Sequence, residues 1–114
     1  MTNVTSMYDE AEQLKDAGKL DEAIAKLSDI LQIDPKHVLS HLALAVVYGR
    51  VGQHEQAVQH GEQACALEPQ ESFNFTALSV TYQRAWQGTQ RQEYIAKAEE
   101  AMAQAHVLQG TQGH

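Results

Sequence analysis

The sequence predicts an all-α fold built from helix–turn–helix hairpins stacked side by side. Three observations carry that prediction. The 114 residues resemble themselves when shifted by 34. Apolar residues recur at helical spacing, with no period-two alternation that would call for strands. Glycine and proline recur where a helix has to stop.

The repeat is read first, because a fixed period of this size defines the architecture. A shift of 34 lays Ala11 on Ala45, Gly18 on Gly52, Ala23 on Ala57 and Pro35 on Pro69. It also lays Leu14 on Tyr48, Ile24 on Val58 and Ile30 on Ala64. A second shift lays Leu44 on Leu78, Tyr48 on Tyr82 and Ala45 on Ser79. The matches fall at small, apolar and turn positions, where packing dictates the residue.

The elements follow in order. Val4, Met7/Tyr8, Ala11 and Leu14 mark one helix, and Leu20, Ala23/Ile24, Leu27 and Ile30/Leu31 its partner. Gly18 and Gly52 reverse the chain between partners. Pro35 and Pro69 close one hairpin and suit the start of the next helix. Ala11, Ala45 and Ser79 let paired helices approach closely.

These residues resemble the tetratricopeptide repeat (TPR) family. Leu44-Ala45, Tyr48, Gly52, Ala57, Ala64 and Pro69 match its pattern, as do Met7, Ala11, Leu14, Gly18, Ala23 and Pro35. The strongest local match is Gly18-Lys19-Leu20-Asp21-Glu22-Ala23-Ile24. The resemblance implies a right-handed α-solenoid of three hairpins forming a single domain over residues 1–114. Its repeats would span about 4–37, 38–71 and 72–110.

Three places depart from the family pattern. His41 stands where a bulky hydrophobe is usual, and Gly61 where an aromatic is usual. Gly61 should leave a gap or admit a neighbour's side chain. In the third repeat Ala57 maps to Ala98 and Leu67 to Leu108, offsets of 41 rather than 34. Seven inserted residues make about two helical turns, which lengthens both helices of the hairpin by about one turn. The expected helices are 71–87 and 90–109, the second started by a capping box at Thr89-Gln90-Arg91-Gln92. Trp86 and Tyr94 would lie near the tip, with Tyr82 one turn below Trp86. They make either a local mini-core, the favoured reading, or a contact site. The end of the chain, Gln109 to His114, is polar, so no further helix is expected to cap the last one.

The composition excludes several functions. The net charge is −7, and residues 1–34 carry eight acids against Lys15, Lys19 and Lys26, which is −5 of it. Such a surface repels nucleic acid, and no basic stripe offsets it. The only cysteine, Cys65, permits no internal disulfide and falls at a buried position of the repeat, as an inert thiol. The N-terminus has no apolar run, and no stretch could span a membrane, so the cytoplasm is the expected location. Gly49, Gly52 and Gly61 lack the spacing of a phosphate loop, and no nucleophile–histidine–acid set is legible. No enzyme activity and no cofactor are expected. His37 and His41, four apart, could begin a metal site, but no third ligand accompanies them, so they read as packing or surface histidines. A metal-binding accessory protein ranks below the other readings.

The family's functional surface is a concave groove lined by the first helix of each repeat. Its carboxylate-clamp subclass holds a peptide's C-terminus with cations. Here Tyr8, Asp9 and Glu12 occupy those positions in the first repeat, so the clamp is missing. The resemblance implies a partner-binding groove of Leu39, Leu42, Val46 and Arg50 from the second repeat, with Phe73, Thr76, Val80 and Arg84 from the third. The expected function is a protein-interaction module or scaffold that binds a peptide or partner helix with hydrophobic anchors and an acid. The alternative is a homo-oligomer that assembles through its C-terminal helix or long hairpin, with Trp86 and Tyr94 as contacts.

Overall fold

A computed structural model describes residues 3–112. Met1, Thr2, Gly113 and the isolated His114 lie outside the described residues. Six α-helices run in order: α1 Val4–Asp16, α2 Leu20–Ile33, α3 Val38–Arg50, α4 His54–Leu67, α5 Ser72–Thr89 and α6 Glu93–Gln112. There is no strand among the described residues. The helices pair as the hairpins α1/α2, α3/α4 and α5/α6, and the hairpins stack in chain order. The expected all-α solenoid is therefore the fold.

The turns show why the repeat has its period. Gly18 and Gly52 adopt φ of 78° and 85°, where a side chain would be strained. That conformation lets the next amide return to the helix just ended, Lys19 to the Leu14 carbonyl and Gln53 to the Tyr48 carbonyl. Pro35 and Pro69 sit in the turns before α3 and α5, rather than in the first turns of those helices. They end a helix without starting the next.

Two clusters form the core. The first joins Ala11, Leu27 and Ile30 to Ala43, Leu44 and Val47 of α3. The second joins Val58 and Cys65 of α4 to Leu78, Tyr82 and Ala85 of α5 and Tyr94, Ala98 and Ala101 of α6. Ala11, Ala23, Ala57 and Ala64 are essentially inaccessible, as the helix-contact positions of the repeat require. At Gly61 the Leu78 side chain fills the space of the missing one: a Cβ there would stand 3.0 Å from Leu78 Cδ1.

The third hairpin is long, as the insertion requires. α5 has 18 residues and α6 has 20, against 13 and 14 in the hairpins before it. The capping box does not form. Thr89 closes α5, its hydroxyl donating to the Ala85 carbonyl at 2.7 Å and accepting from the Arg91 amide at 3.2 Å. Gln90 follows with φ 62°, a left-handed cap, and α6 begins only at Glu93. Thr89 is itself the last residue of α5, so residues 90–92 form the turn and Thr89 does not serve as the N-cap of α6. The polar stretch from Gln109 to Gln112 continues α6 rather than leaving it.

Candidate binding groove

The groove between α3 and α5 is built by the repeat itself. Residues 34 apart occupy the same register, so Leu42 and Val46 on α3 meet Thr76 and Val80 on α5. Together with Phe73 and Arg84 they line one cavity of about 240 Å³, floored by Ala45, Ala77 and Leu78. The structure thus gathers six of the eight groove residues expected from sequence. Leu39 and Arg50 lie one turn before and after that set on α3, both exposed. Leu39, Phe73 and Val80 are unusual for their exposure, 53%, 62% and 40%. Phe73 and Val80 line the cavity, so large apolar side chains face solvent at this groove.

Charge at the groove is one-sided. Arg50 and Arg84 are exposed and have no ion-pair partner among the described residues. The Arg84 stem passes over Gly49, where a Cβ would stand 3.9 Å from Arg84 Cδ. At the α1 end the groove register carries acids, Asp9 and Glu12, instead. Glu12 pairs with Lys15 at 2.9 Å, and burial together with the Glu12 carboxylate pushes Tyr8 up to about 12.

The histidines sort differently from their sequence spacing. His37 caps α3, its Nδ1 accepting from the Ser40 amide at 3.3 Å. His41 turns away from it into the seam with α4. There its Nδ1 meets His60 Nδ1 at 3.0 Å and its Nε2 reaches the Pro35 carbonyl at 2.9 Å. Tyr48 stacks on His60, with ring centroids 5.6 Å apart. The sequence reading missed this His41–His60–Tyr48 cluster; the one clue was a histidine at a hydrophobic position of the repeat. No group of three potential metal ligands occurs among the described residues. Cys65 is buried, and burial lifts its thiol to about 11, leaving it a poor nucleophile.

At the hairpin tip, Tyr82 and Tyr94 are buried and stacked at 6.1 Å. The Tyr82 hydroxyl donates to Glu62. Tyr94 therefore lies inside the hairpin rather than at a contact surface. Trp86 packs on this cluster but is only partly buried, and its indole nitrogen has no hydrogen-bond partner.

Stacked helical hairpins with a groove between their first helices define a class of repeat solenoids. A family model described as tetratricopeptide repeat matches residues 14–72, just over half of the chain. The chain belongs to the tetratricopeptide repeat family. A search of curated proteins finds no match. Among solved structures, MamA is similar at 14% identity and a TM-score of 0.83, over 98% of this chain and 61% of that one. This chain thus spans less than two thirds of MamA's length. The type III secretion translocator chaperone SycD of Yersinia enterocolitica, an alternative dimer, is similar at 17% identity and a TM-score of 0.79. That match covers 94% of this chain and 76% of that one. The second TPR of Spaghetti (RPAP3), bound to the HSP90 peptide SRMEEVD, is similar at 20% identity and a TM-score of 0.75, over 92% and 91%. At such identities the likeness concerns the fold. No described helix is long and apolar enough to cross a membrane.

Proposed function

We propose that the protein is an interaction module whose α3–α5 groove captures a segment of another protein. The segment presents apolar side chains to Leu42, Val46, Phe73 and Val80 and an acidic side chain to Arg84, with Arg50 and Leu39 extending the surface. The observation that carries this reading is an apolar cavity bordered by exposed hydrophobes and an unpaired arginine. The Spaghetti TPR, a fold relative, holds a short acidic peptide. The ligand here differs in one respect. Asp9 and Glu12 repel a terminal carboxylate, so the bound segment is internal or helical rather than a chain end.

The test replaces Arg50 and Arg84 together by Glu. Exposed substitutions of this kind change stability by only about 0.5 kcal/mol each. The principal partner captured by the native protein should be lost while the helical circular dichroism and melting temperature stay. Undiminished capture by a folded double variant refutes the groove. Self-association is the second reading, by a two-fold pairing of copies across the open apolar cavity on the last hairpin. A monomeric mass in solution across the working concentration range removes it.

A further inference from the structure

The outer faces of the first and third hairpins are chemically unlike. Each internal hairpin is covered by the first helix of the next. On α3/α4 the covering helix is α5, seated where Leu78 and Thr81 meet Gly61 and Ala45, with Val58 in the same cluster. The equivalent positions on α5/α6 are Ser79 for Ala45, Glu99 for Val58 and Met102 for Gly61. These residues, with Trp86, Ile95 and Ala98, line an open cavity of about 460 Å³. It is the larger of the two clefts described so far, and its lining carries no cation.

The seat also says what it excludes. In α3 and α5 the residues that enter the preceding hairpin include Leu44 and Leu78. The same position in α1 is Glu10, flanked by Asp9 and Gln13, all exposed, and Glu10 pairs with Lys26 at 3.0 Å. A second copy stacked head to tail would press these acids onto an apolar cleft beside Glu99. That costs desolvation and adds like-charge repulsion.

We propose that this end cleft docks a basic amphipathic helix of a partner protein, continuing the stack in trans. The register defines the helix. It carries a small residue opposite Met102, because Met102 fills the space that Gly61 leaves to Leu78. It places a larger aliphatic residue between Trp86 and Ile95, where the cleft is open. It bears Lys or Arg to meet Glu99, an exposed acid in a chain of net charge −7. The mode is a helix laid into a groove, and it is independent of the α3–α5 surface.

Trp86, the only tryptophan, reports on the cleft it lines. The probe is a synthetic helical peptide of about 18 residues with an alanine/leucine seam and lysine flanks. Titration into the intact protein should move Trp86 emission to the blue and saturate. Glu99→Lys, an exposed change, should weaken binding about three- to tenfold with unchanged circular dichroism. Arg84→Glu, in the other groove, should leave the titration as it was. The proposal is overturned by any of four results. These are no shift at millimolar peptide, equal binding by a glutamate-flanked peptide, and a shift that Arg84→Glu abolishes while Glu99→Lys does not. The fourth is a blue shift on concentrating the protein alone, which assigns the cleft to a second copy. Loss of binding at either surface leaves the other untouched, so the two readings fail separately.

Discussion

His41 and His60 face each other Nδ1 to Nδ1 at 3.0 Å across the α3–α4 seam, and only one of the two nitrogens can carry the hydrogen. His41 donates its Nε2 hydrogen to the Pro35 carbonyl, so its Nδ1 accepts and His60 Nδ1 donates. That arrangement is lost when His41 becomes a cation, since two N–H groups would then point at each other. Burial first, and His41 second, lower His60 from its ordinary value to about 4.

The first prediction follows from that linkage. The unfolded chain takes up a proton near pH 6.5 and the folded chain only near 4, so the unfolded state binds more protons between them. Stability contributed by neutral His60 is whole above about pH 6.5 and drains away as the pH falls toward 4. The full shift corresponds to about 3 kcal/mol. His60 is partly exposed, which reduces the expected loss to about 1–2 kcal/mol. Urea unfolding at several pH values should show this slope, and His60→Gln should flatten it. A native protein equally stable at pH 7 and pH 4.5 would contradict the assignment.

Trp86→Ala measures how far the hairpin tip is a core. A fully enclosed tryptophan would cost about 3–5 kcal/mol. Trp86 packs on the cluster that holds Tyr82 and Tyr94 but is only partly buried, so the expected cost is about 2 kcal/mol. Denaturant midpoints of the two proteins give the number. A cost near zero would mean that Trp86 contributes nothing to the folded monomer.

Gly88 marks a close approach between hairpins. A Cβ there would run into the His54 ring, at the start of α4. Alanine gains up to about 1 kcal/mol over glycine in a helix interior, and less at Gly88, one residue before the last of α5. Here Gly88→Ala should instead destabilise by about 1 kcal/mol, because the partly buried ring has to move. In a His54→Ala background the same change should stabilise. The sign reversal, read by thermal melting of the four proteins of the cycle, is the test.

Leu78 and Gly61 form the joint between the second and third hairpins. Gly61→Val should push Leu78 off its seat and cost about 1–3 kcal/mol. Leu78→Ala, emptying a buried position, should cost about 2–5 kcal/mol. In the double variant the valine occupies the space leucine has left, so the costs should fall short of additive. Strict additivity would show that the two residues are not in contact.

The sequence by itself determined the fold class, the number of helices and the turns. Those depend on local rules: apolar spacing along a helix, glycine at φ near +80°, and a period set by one hairpin. The resemblance to the repeat family supplied the groove register, in which Leu42 and Thr76 stand 34 apart, and both line one cavity. The length of the third hairpin followed from the seven-residue insertion. The start of α6 did not, since Thr89 stays in α5 and Gln90 turns left-handed, which leaves α6 to begin at Glu93. The histidines were the larger surprise. Spacing paired His37 with His41, four apart on a helix. The structure pairs His41 with His60, 19 residues away. No local rule encodes that contact. It arises because the Pro35 carbonyl and the His60 ring present polar atoms at a core position, and buried donors and acceptors must find partners wherever the fold brings them. The last hairpin was expected to go uncapped, but the apolar cleft beside Trp86 was not foreseen. Whether an apolar face is covered depends on which helix comes next in space, and spacing along one chain does not record that.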